Sequence, residues 1–421
     1  MTPQITVLPN GLRVVSEERP GLLTAAVGVW VDAGSRHETA AQNGISHMLE
    51  HMAFKGTERR SALAIAQEIE DVGGYLNAYT SREQTAYYAR VLKDDVPLAI
   101  DILADILQHS VFDAAELQRE QEVIVQEIGQ SLDTPEDIIF DYLQETAYPD
   151  QPVGRSILGT PEHVRGFDKS ALNGYLATHY HAPSMVLAAV GAIDHKRLVE
   201  LAEEAFGALP PSRPRAVAPG LFASGERRVT KELEQAHVTF ALPGVTYGDP
   251  DYYVAQVFSN ALGGGMSSRL FQEVREKRGL CYSIYSYVNA YADTGLMGVY
   301  AGTGPESLTE LMPVVIGEIG AMAGATSVAE TERAKAQLKA GVLMGMESST
   351  ARCEQLARQL LVHGRLIPAD EIIGRVDAID AAAVGRFAGR VGSGGAPALA
   401  AVGPVESLPA FDAIAARFTG S

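Results

Sequence analysis

The strongest constraint on the fold of this 421-residue chain is that it repeats itself. Leu187 to Gly191 and Leu399 to Gly403 both read LAAVG, 212 residues apart, and Phe206 and Phe418 share that offset. A second pair, QEIEDVGGYLNAY from Gln67 and QEVREKRGLCYSIY from Gln272, is offset by 205. Two similarities with nearly equal offsets mean two copies of one unit of about 200 residues, each a common domain size. The stretch GALPPSRPRAVAPG, residues 207–220, falls between them. Its prolines fix φ and remove N–H donors, so neither helix nor sheet continues through it. The expected division is residues 1–206, a Pro-rich linker at 207–220, and a homologous second domain at 221–421.

Within each copy, short alternating apolar runs such as ITVLPNGLRVVSEE and LTAAVGVWVDAG read as strands joined by Gly and Asn turns. Longer segments of 3.6-residue period, such as ALAIAQEIEDVGG, DVPLAIDILADILQHS and AAELQREQEVIVQEIGQSL, read as helices. A strand hairpin followed by helices and further strands predicts an α+β fold of two homologous domains, each a mostly antiparallel sheet with helices packed on one face.

Composition bounds the function. With 34 basic and 52 acidic residues the net charge is −18, which disfavours nucleic acid or an anionic membrane as partner and favours basic peptides. Unbroken apolar runs such as LLTAAVGVWV stop near ten residues, about half of what spans a bilayer, so no membrane insertion is expected. The start MTPQITVLPNGLRVV has neither a secretory h-region nor an Arg-rich transit character, and two cysteines build no disulfide framework. The expected compartment is the bacterial cytoplasm.

Chemistry concentrates in NGISHMLEHMAFKGT, where His47, Glu50 and His51 crowd into five residues. At about 100° per helical residue, with His47 at zero, Glu50 falls near −60° and His51 near +40°. The three share one face, while Ile45, Met48, Leu49 and Met52 form an apolar opposite face. Histidines four apart can aim ring nitrogens at one zinc ion, with the glutamate placed to take a proton from the attacking water. This is the inverted zincin pattern His-x-x-Glu-His. Catalytic zinc requires a third protein ligand, and AELQREQEVIVQEIG offers Glu116, Glu120 and Glu127 on one partly apolar helical stripe.

These residues resemble the pitrilysin family of zinc peptidases, in particular its short-chain processing branch. There the motif is followed by a ligand glutamate 76 residues after the second histidine, which lands on Glu127, and by a further glutamate at the position of Glu120. The resemblance implies His47, His51 and Glu127 as ligands of one Zn2+ per chain, Glu50 as general base, and Glu120 orienting His51. It implies that Asn77, Ala78 and Tyr79, in GGYLNAYTSREQTAYYARVL, pair with an extended substrate, and that Phe54 lies near the scissile bond, although a core role suits Phe54 equally. Arg275 and Tyr282, in VREKRGLCY, match a pair that holds substrate backbone and oxyanion. Asp137 and Asp141, in TPEDIIFDY, match carboxylates that read a basic side chain, or form an ordinary helix-start cluster.

The function expected is a zinc endopeptidase cutting extended peptides or unfolded segments inside a closed chamber, with preference for basic residues near the cut. A chain of two such domains would complete its site as a homodimer. The alternatives are a catalytic subunit needing a noncatalytic paralogue, and an inactive structural or assembly subunit.

Overall fold

The computed structural model describes residues 2–212 and 217–419; residues 213–216 of the expected linker lie outside the described residues. The strands are β1 (Gln4–Val7), β2 (Arg13–Glu18), β3 (Thr24–Val31), β4 (Tyr75–Thr80), β5 (Thr85–Leu92), β6 (Met185–Gly191), β7 (Gly225–Thr230), β8 (Ala236–Pro243), β9 (Ser283–Ala290), β10 (Gly295–Thr303) and β11 (Ala398–Gly403). They form two sheets, ordered β1-β2-β6-β3-β5-β4 and β7-β11-β8-β10-β9. In the first only β2–β6 is parallel, and in the second only β7–β11. Apart from β1 the two orders superimpose, so the fold repeats as the sequence does.

The paired LAAVG segments are β6 and β11, which occupy the same place in each sheet. Each ends on a glycine at positive φ, +131° at Gly191 and +112° at Gly403. A Cβ there would lie 2.3 Å from the Thr24 carbonyl oxygen and 2.6 Å from that of Gln235, so only glycine fits either position.

Both strands are buried along their whole length, the signature of a sheet covered on two faces. On the first sheet, Val14, Val27, Val29, Leu187 and Ala189 face a core that includes the helices α1 (Ile45–Ala53), α2 (Ala62–Glu70), α3 (Val96–Gln108) and part of α4 (Ala114–Asp133). This is the helical layer expected, but helices are not confined to this one face. The opposite face, with Val15, Ala26, Trp30, Val186 and Ala188, is covered by Cys353, Leu356, Ala357 and Leu360 of the helix Ser349–His363. Arg13 ties that helix down by donating to the Leu360 carbonyl at 2.7 Å, and Arg352 pairs with Glu17 at 2.7 Å.

Compact units are therefore not contiguous halves. One unit comprises Met1–Gly129, Arg155–Ala218 and Met344–Leu366; the other comprises Gln130–Gly154, Pro219–Leu343 and Ile367–Ser421. In the second, the helix α5 (Pro135–Ala147) places Ile138, Ile139, Tyr142 and Leu143 on the face of β11 formed by Ala398, Ala400 and Val402. The physical reason lies in the strands: each copy's own helices cover one apolar face, and a helix drawn from the other copy covers the second. Repeat offsets report common ancestry of strands and cannot report this exchange.

The segment Pro305–Ala325 is long and apolar enough to cross a bilayer, which a search for unbroken apolar runs passes over because Glu310 and Glu318 interrupt it. In the second unit, Leu308, Leu311, Met312, Val315, Ile316, Ile319 and Met322 of this helix line the core.

Candidate metal centre

Helix α1 begins at Gly44, whose φ of +98° excludes a capping side chain. The cap comes instead from Glu38, only 3% exposed. Its carboxylate accepts from the Gly44 and Ser46 N–H groups, each at 2.9 Å, and from Asn43 Nδ2 at 3.1 Å. These satisfy main-chain donors that a helix start leaves orphaned. Burial nevertheless outweighs those bonds and pushes the Glu38 carboxyl up to about 7. No spacing or periodicity in the sequence marks Glu38. Ile45, Met48, Leu49 and Met52 are buried, and the opposite face carries His47, Glu50 and His51.

Helix α4 buries Leu117, Glu120, Ile124 and Ile128 and brings Glu127 to the two histidines. Glu127 Oε2 lies 3.7 Å from Nε2 of His47 and 3.7 Å from Nε2 of His51. The three donor atoms all fall within 4.8 Å of one another. A tetrahedral zinc with bonds of about 2.0–2.1 Å separates its ligand atoms by roughly 3.3 Å, so two imidazoles and a carboxylate fit that ion with only small closure. Among the described residues no other three His, Cys, Asp or Glu side chains converge in this way. Of the three glutamates on the stripe, Glu116 pairs with Arg119 instead.

Glu120 supports the centre from behind. Its Oε2 is 2.9 Å from His51 Nδ1 and its Oε1 is 2.7 Å from Lys55 Nζ. An imidazole that donates through Nδ1 presents the lone pair of Nε2, the atom turned toward Glu127. Burial raises the Glu120 carboxyl, but Lys55 and His51 outweigh it and the net shift is downward. Burial, with His51 beside it, lowers His47 to about 3 and keeps that ring neutral for ligation. Its Nδ1 has no hydrogen-bond partner among the described residues, so the two histidines are held unequally.

Glu50 is raised by burial and by Glu127, against a hydrogen bond from Thr80 and the proximity of His51. Thr80 Oγ1 donates to Glu50 Oε2 over 2.5 Å. Thr80 closes β4, the edge of the first sheet. The hairpin bond from Ser81 N to the Gln84 carbonyl fixes the alternation along β4–β5. Tyr79, Asn77 and Tyr75 therefore spend their main-chain groups on β5, while Leu76, Ala78 and Thr80 point theirs outward. Of the three residues Asn77, Ala78 and Tyr79, then, Ala78 is the one that offers main-chain bonds to an added strand. Its N–H is held at 2.8 Å by Asn77 Oδ1. Tyr79 turns to the sheet's other face, where its hydroxyl donates to Glu354 at 3.0 Å. Phe54 caps α1 and packs toward Tyr87, ring centroids 6.5 Å apart, at the margin of the core.

The remaining expected residues lie in the second unit. Arg275 stands over the rings of Phe271 at 4.6 Å and Tyr282 at 5.3 Å, and Tyr282 is 75% exposed. Asp137 and Asp141 sit one turn apart on α5, Asp137 exposed and Asp141 half-buried.

Residues 13–161 match the family Insulinase (Peptidase family M16), and residues 166–338 match Peptidase M16 inactive domain. The chain is 41% identical to the mitochondrial-processing peptidase subunit beta of Mus musculus, over 98% of this chain and 86% of that protein. It is 39% identical to an uncharacterized zinc protease of Streptomyces coelicolor, over 98% and 93% of the two chains. Its fold matches a chain of complex III2 from Candida albicans, solved with Inz-5 bound, with a TM-score of 0.87 over 99% of each chain at 22% identity.

Proposed function

The chain belongs to the insulinase family of peptidases, family M16, and is a zinc metalloprotease; from that premise we propose that it is an endopeptidase acting on extended peptides and unfolded segments. The carrying observation is the convergence of His47, His51 and Glu127 beside an edge strand, with Glu50 on the same face of α1 and bonded to that strand through Thr80.

His47, His51 and Glu127 would hold the zinc, which when bound would supply Lewis-acid polarisation of the scissile carbonyl and a lowered pKa for the attacking water. Glu50, its carboxylate made more basic by burial, takes the water's proton and returns it to the leaving amine. Glu120 fixes the tautomer and orientation of His51. A substrate strand bonds to the outward groups of Ala78 and its neighbours on β4, which requires an extended backbone and excludes folded proteins. Phe54 lines the approach to the scissile bond. Asp137 and Asp141, with the net charge of −18, favour Arg or Lys close to the cut.

Relatives named as subunits favour an assembly of more than one chain. In this reading the protein is a homodimer enclosing a chamber, and Arg275 and Tyr282 of one protomer complete the site of the other. Their service to substrate backbone and oxyanion accords with the 75% exposure of Tyr282.

The deciding experiment is cleavage of a peptide library, with and without chelator, by the wild type and by Glu50→Gln. The amide keeps the shape of the side chain but accepts no proton, so zinc content should persist while turnover is lost. Near-normal turnover in Glu50→Gln would remove Glu50 from the chemistry.

A further inference from the structure

We propose that Thr80 is a positioning residue that couples the peptide-binding edge of β4 to the base Glu50. The inference rests on the reading of Glu50 as the base. It is carried by where the two ends of Thr80 point. Its main-chain groups face away from β5, onto the edge where an added strand lies. Its side chain faces α1, where Oγ1 donates to Glu50 Oε2 over 2.5 Å. One residue thus has the substrate strand on its backbone and the base on its side chain.

The hydrogen bond also divides the work of the carboxylate. The Glu50 carboxylate makes no other hydrogen bond among the described residues. Holding Oε2 fixes the carboxylate plane and leaves Oε1 for the water's proton. A glutamate has three side-chain torsions to restrain, and an unheld carboxylate beside the histidines would sample rotamers in which neither oxygen meets the water. Thr80 is itself well fixed. It lies one residue before the Ser81–Gln84 hairpin bond and pairs with Thr85 across the strand.

Strand formation does not require the hydroxyl. Valine has the same branched shape and an equal or better preference for strands. A threonine whose O–H meets the catalytic carboxylate therefore serves something other than the sheet.

The test is a set of variants measured for kcat, KM and zinc content on one unstructured peptide. Thr80→Val keeps shape and backbone and removes only the donor. Its kcat should fall roughly ten- to a hundredfold, the usual scale for removing a group that orients a catalytic side chain, with KM and zinc content within about twofold of wild type. Thr80→Ser, which restores the hydroxyl, should recover most of the rate. In a Glu50→Gln background, Thr80→Val should cost nothing further, because the two act as one unit.

Wild-type kcat in Thr80→Val beside a dead Glu50→Gln overturns the coupling and leaves the base assignment standing. A Thr80→Val effect confined to KM, or a loss of kcat that serine does not rescue, also overturns it, since Thr80 then serves binding or folding alone. An active Glu50→Gln is a different failure, because it removes the base on which the inference rests.

Discussion

Replacing Glu120 tests the metal centre without touching a ligand. In the native chain Glu120 is 6% exposed and its carboxylate holds His51 Nδ1 at 2.9 Å, with Lys55 at 2.7 Å on the other oxygen. Glu120→Gln keeps an acceptor of the same size but removes the charge. A hydrogen bond to a charged partner contributes about 1.5–3 kcal/mol, and a neutral one about 0.5–1.5. The amide should therefore lose about 1–1.5 kcal/mol of support for the imidazole in its ligating state. That corresponds to a zinc affinity weaker by roughly five- to twelvefold. Glu120→Ala removes the whole contact and should cost roughly ten- to a hundredfold. Lys55 is 31% exposed along its side chain and can turn to water, so its loss of partner adds little. The assay is competition for zinc against a chelator of known affinity, with activity measured in parallel at several free zinc concentrations. Activity of both variants should return toward wild type at saturating zinc. Unchanged zinc affinity in Glu120→Ala would refute the argument that His51 ligates through Nε2 because Glu120 holds Nδ1.

Mixing Glu50→Gln chains with Tyr282→Phe chains should restore activity if Tyr282 acts across a dimer, since one site of each mixed dimer then carries neither defect; a verified heterodimer that stays inactive rules this out. Asp137→Asn combined with Asp141→Asn should weaken the preference for Arg or Lys near the cut, and an unchanged cleavage profile would reduce the pair to the start of α5. Burial, with His181 nearby, holds His179 near 4, down from 6.5. Between those values the unfolded chain takes up the proton and the native chain does not. Stability should therefore fall as pH drops from about 6.5 to about 4, by roughly 3 kcal/mol at the low end. Urea denaturation across that window should show a shallower pH slope for His179→Gln; parallel slopes would contradict it. Acid release of metal contributes to both chains alike and does not affect the comparison.

Much of this protein is determined by its sequence alone. The LAAVG repeats mark β6 and β11, the same strand of two equivalent sheets, because a strand buried on both faces must be continuously apolar and must end on glycine where a carbonyl crowds its last Cα. The zinc helix is legible for a similar reason: a 3.6-residue period puts His47, Glu50 and His51 on one side and Ile45, Met48, Leu49 and Met52 on the other, whatever the rest of the chain does. Contacts between elements distant in sequence are different, because no local period encodes them. Geometry on α4 left Glu116, Glu120 and Glu127 open, and only packing against α1 sends Glu127 to the histidine Nε2 atoms and Glu120 to Nδ1, while Glu116 stays on its own helix with Arg119. Register along β4–β5 decides that Ala78 and Thr80, and not Asn77 or Tyr79, turn their main-chain groups outward. Glu38 beneath α1 and Thr80 beside Glu50 were invisible for the same reason, as was the exchange of α5 and the helix Ser349–His363 between the two sequence copies. A sequence records which faces must be buried; the tertiary structure decides which element buries them.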